Sequence, residues 1–572
     1  MCKPNPLGLT DGYKPGHRLM LAPGTEYLYG TWIPRSLKHA APGIEKIMSA
    51  GQQLSWMWLH DQFEENFFNE PIEVAKKFGR DLSKYQGLPY DSTHFEDLHK
   101  LGYLPLEVKA LPEGCETNPN IPHQTFVNTV PGYAWLTLYL ETPVSYVSWK
   151  TPTNATLALQ YRRNATEWVM KTDSDNAWFI DYCCHDFASR GLDPFSVISS
   201  GLAHSFSFIG SDTLIVIDAA RYYYGVGEDD VCIASVNASE HSVTCTGLFY
   251  FLDKLQSGEL DAEIDEYYSY DIPATKSTRE NPDLMAIAEW LNLKRWLEIF
   301  PVGILSVVSD TFDLFRVITE ILPRLKDQIM SRDGKLVVRP DSGDPVDITC
   351  GTITENTNSL EGNIEDAIID NRKDGFNGLY PYQKGVIELL WDVFGGTVNE
   401  QGYKVLDPHI GAIYGDSITI DRANEICKRL EAKGFASTNV VLGVGSFTYQ
   451  YNTRDTFGFA MKATYVEVKH WDVATERLNG SFGKNANPEW VEGREIFKDP
   501  VTDDGTKKSA TGLLSVHNHD GEYVLIDRCT WEGEEVSSLQ TIYKDGEFSN
   551  EITLSEIRET LAKQIELVLE KA

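Results

Sequence analysis

Four short apolar runs, Val302 to Val308, Lys335 to Val338, His409 to Tyr414 and Asn439 to Leu442, each end on a polar cluster. The clusters are Ser309-Asp310-Thr-Phe-Asp313, Arg339-Pro-Asp341-Ser-Gly343, Gly415-Asp416-Ser417 and Gly443-Val-Gly445-Ser446. Runs of this length, rich in Val and Ile, have the character of strands buried on both faces of a parallel sheet. A charged residue directly after such a strand points into the mouth of an α/β barrel or sheet, where ligands bind. One polar strand end can be a helix cap; four in succession predict a site.

The runs lie within residues 151–454, where helix-patterned segments alternate with strands, as in βα units around a parallel sheet. Thr213 to Tyr224 reads as a helix with Ser211 and Asp212 as candidate N-caps and Gly225 as its stop, and Asp421 to Lys433 as another, stopped by Gly434. Residues 1–150 carry aromatic-rich alternating segments, Thr25 to Trp32 and Gly132 to Leu140, and read as β-rich. Residues 455–572 return to strands, Tyr465 to Val468 and Tyr523 to Ile526, before a terminal helix from Leu554, and are expected to complete the same β-rich domain. The polar stretches 351–385 and 469–490 read as surface insertions.

Charge narrows the partners. With 84 acidic against 51 basic residues the net charge is -33, which repels nucleic acid and anionic membranes. A phosphate-bearing ligand must therefore meet cations concentrated locally. No stretch approaches the roughly 18 apolar residues a membrane span needs, and Met1-Cys-Lys-Pro-Asn-Pro6 lacks a signal peptide's apolar core, so a soluble cytoplasmic protein is expected. Nine cysteines without a CxxC pair fit reduced thiols; adjacent Cys183 and Cys184 read either as a redox-active pair or, as expected here, as core packing.

The motifs are weak singly. No GxxxxGK[ST] is present, and Gly443-Val-Gly445-Ser446 is a small-residue turn that either admits a phosphate to backbone N–H groups or only turns the chain. Arg454, Lys462 and Lys498 each read alone as surface charge. His241, in Ser235-Val-Asn-Ala-Ser239-Glu240-His241-Ser242, alone fits a structural role as well as a catalytic one.

Their order is specific. Asn5 to Lys14, His185-Asp-Phe187-Ala-Ser-Arg190-Gly, Gly210-Ser-Asp212-Thr, Ser235 to Ser242, Val307-Val-Ser-Asp310, Val338-Arg339-Pro-Asp341-Ser-Gly343, Gly415-Asp416 and Phe497-Lys498-Asp-Pro-Val succeed one another as in nicotinamide phosphoribosyltransferases. The chain resembles that family from residue 5 to its tail, apart from the insertions. The resemblance implies a type II phosphoribosyltransferase fold: an irregular α/β barrel joined to a β-rich domain built from both chain ends. It also implies a homodimer with shared active sites. The implied reaction joins nicotinamide to 5-phosphoribosyl 1-pyrophosphate, giving nicotinamide mononucleotide and pyrophosphate, with Mg²⁺ held mainly through the substrate near Asp310 and Asp341, and ATP phosphorylating His241.

The same resemblance implies the site residues. Phe187 and Tyr13 of the partner subunit would sandwich the pyridine ring, with Asp212 at its substituent, and Arg190 and Arg339 would hold phosphate or flank the ring. Asp310, Asp341 and Asp416 would address ribose and the metal-bound pyrophosphate, Asp310 also orienting His241. Glu240 either lines that pocket or supports it. Ser306, Gly415, Gly445 and Ser446, and across the dimer Arg454, Lys462, Lys498 and Lys507, would complete the phosphate and ribose contacts. Where members carry Phe-Gly-Tyr-Arg and a glycine run, this chain has Phe187-Ala188-Ser189-Arg190 and Gly443-Val-Gly445-Ser446-Phe447. A nicotinate phosphoribosyltransferase is the alternative, opposed by Asp212, which would repel a carboxylate. A catalytically silent homologue is the other, opposed by the presence of His241 and the aspartates.

Overall fold

The computed structural model describes residues 4–274, 277–352, 380–415, 417–471, 488–498, 501–502 and 510–569. Most of both expected insertions, together with Asp416 and Lys507, lies outside them. The apolar runs form neighbouring strands of one six-stranded sheet, in the order Cys184–Asp186, Val440–Val444, Ile410–Tyr414, Leu336–Arg339, Leu305–Val308 and Asn237–Ala238. All pairings are parallel. Leu305, Val307, Leu336, Val338, Ile410, Val440 and Val444 are buried, which is why β-branched residues fill these runs.

The first run starts later than its sequence predicts. Gly303 takes φ 75° and breaks the extended chain, leaving Val302 and Ile304 exposed ahead of the strand. The fourth run continues past Leu442 to Val444, because Leu442, Gly443 and Val444 pair with Cys184, His185 and Asp186; glycine fits the middle position, where a Cβ would stand 2.7 Å from the Gly415 carbonyl carbon.

Two single bridges carry the pairing round from one edge of this sheet to the other. Asp186 bridges Ser211 and Gly210 bridges Ala234, both parallel, and Ala234 leads directly into the Asn237–Ala238 strand. The result is an irregular α/β barrel, in agreement with the fold class expected from the sequence. Helices between the strands have cap chemistry written locally. Asp193 accepts from Ser196 N at the start of Pro194–Ser207, and Thr419 from Arg422 N at the start of Ile420–Ala432.

The second sheet is antiparallel and seven-stranded, in the order Pro488–Glu495, Ala460–Trp471, Thr25–Ile33, Gln124–Asn128, Leu106–Ala110, Gln540–Lys544 and Glu547–Phe548. Its strands come from both ends of the chain, and one buried cluster runs through both sheets, from Trp32, Trp56 and Phe126 to Val307 and Val338. Helices accompany the strands. The alternating segment Gly132 to Leu140, expected as a strand, contains the helix Ala134–Tyr139, whose aromatic side chains pack on the helix Thr93–Leu101: the Trp135 ring lies 5.7 Å from that of Phe95. Tertiary packing there overrides strand propensity. Among the described residues no helix is long and apolar enough to cross a membrane.

Candidate active site

Because all strands run the same way, their C-terminal ends open on one mouth, and the predicted polar clusters meet there. Phe187 follows Cys184–Asp186, Glu240 and His241 follow Asn237–Ala238, Asp310 follows Leu305–Val308, Asp341 follows Leu336–Arg339, and Gly445 and Ser446 follow Val440–Val444.

His241 begins the helix His241–Gln256. Its Nε2 lies 3.8 Å from Asp310 Oδ1 and 3.8 Å from Asp341 Oδ2. That is outside hydrogen-bond length, and the bond that orients the ring is at the other nitrogen, where Nδ1 is 3.0 Å from Thr311 Oγ1. Asp310 is fixed by the main chain, its Oδ2 accepting from Asp341 N at 2.9 Å and Ser342 N at 2.8 Å, while its buried Oδ1 has no hydrogen-bond partner. The Ser306 hydroxyl and Arg339 Nε are likewise buried and unbonded, and Arg339 Nη2 donates to the Ser239 carbonyl at 2.6 Å. Glu240, beside the exposed Arg190 at 3.5 Å, has its pKa lowered first by a hydrogen bond from Ser242 and further by the charges of Arg190 and Arg339.

A second group surrounds Phe187. The His185 ring lies 4.7 Å from the Phe187 ring, and His185 Nε2 lies 3.0 Å from Asp212 Oδ1, to which Ser235 Oγ also donates. Burial pushes the Asp212 carboxyl up. The hydrogen bonds from His185 and Ser235 and the charge of Arg339 outweigh that and hold it below the ordinary carboxylate range. Asp212 therefore does not cap the following helix, as its sequence position predicts: that helix spans Ile215–Tyr224, Leu214 precedes it, and no side chain caps it. The departure at Ala188-Ser189 is accommodated, because Ser189 Oγ meets Thr213 Oγ1 at 2.9 Å and Thr213 in turn donates to buried Asp186 at 2.6 Å.

Tyr13, Arg454, Lys462 and Lys498 occupy a different place, on the antiparallel sheet and the chain flanking its strands. Tyr13 is exposed, with Lys14 Nζ 5.5 Å from its ring centre, and Lys14 pairs with Glu141. Glu141 also faces Lys462, whose pKa is lowered by burial and by the nearby charges of Arg35, Lys498 and Arg454. Arg35, which has no sequence signal of its own, thus joins the three predicted cations. His185, Ser235 and Thr311 lie inside the quoted motifs, but only their contacts reveal what they do.

The "Nicotinate phosphoribosyltransferase (NAPRTase) family" matches residues 182–477, a span that holds the six strands of the parallel sheet from Cys184 to Val444. A nicotinamide phosphoribosyltransferase of Acinetobacter baylyi is 39% identical over 98% of this chain and 98% of its own. One of Mycoplasma pneumoniae is 30% identical over 89% of this chain and 95% of its own. The crystal structure of human Nicotinic Acid Phosphoribosyltransferase overlays 97% of this chain and 93% of that one at TM-score 0.49 and 13% identity, a distance at which nothing follows for substrate. The chain belongs to the nicotinate phosphoribosyltransferase (NAPRTase) family. It is an enzyme, a pentosyltransferase, as the order of its motifs led one to expect.

Proposed function

We propose that the protein is a nicotinamide phosphoribosyltransferase of NAD salvage, a cytoplasmic homodimer that joins nicotinamide to 5-phosphoribosyl 1-pyrophosphate with ATP coupled through His241. The observation that carries the choice of base is Asp212, held ionised by His185 and Ser235 beside the Phe187 ring. An ionised carboxylate accepts from an amide NH₂ and repels a carboxylate, so nicotinamide is favoured over nicotinate. The names of the two bacterial relatives support the same reading.

In this reading the pyridine nitrogen attacks the anomeric carbon of the ribose, forming the C–N bond while the C–O bond breaks and its electron pair leaves with pyrophosphate. Phe187, with Tyr13 of the partner subunit, stacks the ring. Arg190 and Arg339 flank ring and phosphate; Asp310, Asp341 and Asp416 address the ribose hydroxyls and pyrophosphate. Ser306, Gly415, Gly445 and Ser446 complete that cradle, and Arg454, Lys462, Lys498 and Lys507, joined by Arg35, bring positive charge across the dimer. Asp310 Oδ1, which has no hydrogen-bond partner, and the nearby Asp341 carboxylate are hard oxygen donors that fit Mg²⁺. When bound, Mg²⁺ supplies charge neutralisation for the departing pyrophosphate. His241, turned by Thr311 so that Nε2 faces both aspartates, takes the γ-phosphoryl group of ATP: an N–P bond forms as the bridging P–O bond breaks and its electron pair leaves with ADP, with Glu240 beside it.

The test compares kcat/KM for nicotinamide and nicotinate, with and without ATP, in wild type, Asp212→Asn and His241→Ala. Loss of a charge-assisted hydrogen bond worth roughly 1.5–3 kcal/mol should lower nicotinamide use by Asp212→Asn about tenfold or more and narrow the preference. His241→Ala should keep slow ATP-independent turnover and lose stimulation by ATP. Equal use of both bases by wild type refutes the choice of base; full ATP stimulation in His241→Ala refutes the coupling.

A further inference from the structure

Asp212 and Ser235 stand at the forward ends of two adjacent backbone segments. Ala234 N donates to the Ile209 carbonyl at 2.8 Å and Ser211 N to the Ala234 carbonyl at 3.0 Å, so the segments are in register just behind the two side chains. Further back, a single side chain from the far end of the sequence spans both. Arg558, on the helix Leu554–Leu569, donates to the Ser205 carbonyl from Nε at 2.9 Å and from Nη2 at 2.7 Å, and to the Cys232 carbonyl from Nη2 at 2.6 Å.

Ser205 lies in the last turn of Pro194–Ser207, the helix that leads into Asp212, and Cys232 leads into Ser235. The helix bearing Arg558 is itself seated: Leu554, Ile557 and Leu561 are buried in one cluster with Leu202, Phe206 and Ile233. A neighbouring arginine braces the same turn, since Arg162 donates to the Ser207 carbonyl and pairs with Asp181 at 2.7 Å, whose carbonyl accepts from Ile209 N at 2.7 Å.

We propose that Arg558 is a positioning residue for base recognition: its guanidinium fixes the separation of the segments ending in Asp212 and Ser235, and so the hydrogen bond that aims the Asp212 carboxylate. The proposal rests on the reading that Asp212 meets the ring substituent. The physical reason is the planar fork. Guanidinium holds two carbonyls of separate segments at one spacing, whereas a lysine ammonium, a point donor, fixes distance less well. Apolar contacts alone seat the helix without setting that spacing. A site tuned to a single hydrogen bond loses a large part of its discrimination on a shift of a fraction of an ångström.

The experiment uses the full-length enzyme with Arg558→Met, Arg558→Lys and Asp212→Asn. It measures thermal midpoint, KM and kcat for nicotinamide and nicotinate, and KM for 5-phosphoribosyl 1-pyrophosphate. Arg558→Met should raise the nicotinamide KM about tenfold while kcat and the KM for 5-phosphoribosyl 1-pyrophosphate stay within about twofold, with the preference for nicotinamide narrowed accordingly. Arg558→Lys should fall between it and wild type. A folded Arg558→Met enzyme whose two KM values are unchanged, or rise together, overturns the proposal and leaves Arg558 an anchor of the helix. Should Arg558→Met not fold, Arg558→Lys decides by the same split. If Asp212→Asn narrows the preference and the Arg558 variants do not, the positioning role alone falls. If the Arg558 variants narrow it and Asp212→Asn does not, the route through Asp212 is overturned.

Discussion

At the barrel mouth charges are held in place by the main chain and by neighbours, whereas on the antiparallel sheet they crowd one another. Asp310 accepts from two backbone N–H groups, Arg339 donates to a backbone carbonyl, and Asp212 is gripped by His185 and Ser235. Lys462 instead faces Arg35, Lys498 and Arg454, opposed by Glu141, which also pairs with Lys14. The first region has its geometry set before any ligand arrives, as a site needs where charge develops during reaction. In the second, burial and the cations held close by lower the Lys462 pKa, an effect that a polyanion bound as in the proposed function would oppose. In the proposed function, such a cluster would draw an anionic substrate to a chain of net charge -33.

If the two regions serve one site across a dimer, they can be broken separately and recombined. Asp310→Ala and Tyr13→Ala should each lose at least about a hundredfold in kcat/KM. An equal mixture of the two, after subunit exchange, should recover about a quarter of wild-type activity, because half the dimers are mixed and each has one site free of both lesions. Activity that stays at the level of the separate variants, with exchange demonstrated by mass, would mean that Tyr13 serves its own subunit's mouth or none.

The charge cluster predicts a smaller effect with a pH signature. Lys462→Met should raise the KM for 5-phosphoribosyl 1-pyrophosphate about tenfold, the worth of one charge-assisted hydrogen bond. The Lys462 pKa is lowered, so the ammonium loses its proton at a pH where an ordinary lysine keeps it. The wild-type KM should therefore climb as pH rises toward the ordinary lysine range. Lys462→Arg, which stays charged, should flatten that climb. Identical pH profiles for wild type and Lys462→Arg would remove Lys462 from phosphate binding.

The smallest effect on turnover is expected beneath the mouth. Glu289, buried on the helix Leu284–Ile299, has its pKa raised to about 8, first by burial and then by Asp313, on the loop that carries Asp310. Arg316 and Asp283 also face it, and Arg316 joins the two elements by donating to Asp283 at 2.7 Å from Nη1 and to Asp313 at 3.0 Å from its backbone N. The folded protein keeps a proton there that the unfolded chain releases, so stability is lost as pH rises from about 4.5 to about 8. Glu289→Gln carries no such charge. It should match wild type in urea unfolding near pH 4.5 and exceed it by roughly 3 kcal/mol at pH 7, with kcat little changed. A stability difference that does not vary with pH would show that Glu289 ionises like an exposed carboxyl.

Much of the mouth was legible in the sequence, for a local reason. A strand buried on both faces must be apolar throughout, so the point where it emerges is marked by the first charged residue, and Asp310, Arg339 and Asp341 were placed in that way. Other local signals misled. The alternation of Gly132 to Leu140 has strand period, yet Ala134–Tyr139 is a helix because its rings pack on a helix neighbour. Asp212 sits where a cap belongs, yet its carboxylate turns to His185 and Ser235. Arg35 carries no pattern at all, and Thr311, although inside a polar cluster, none that marks its role, since a hydroxyl beside an imidazole or a guanidinium beside three cations is a fact of distance.

By itself the sequence determined the parallel strands, their polar ends and, through the order of its motifs, the family, because hydrophobic period and motif spacing are properties of the chain read locally. Only the tertiary structure decided that single bridges from Asp186 to Ser211 and from Gly210 to Ala234 carry the pairing round the barrel, that Thr25–Ile33 pairs with Ala460–Trp471, and that Arg558 braces the segments bearing Asp212 and Ser235. These contacts join residues far apart in the chain, and backbone hydrogen bonds and guanidinium forks leave almost no trace in residue type, since any residue offers the carbonyl that accepts them.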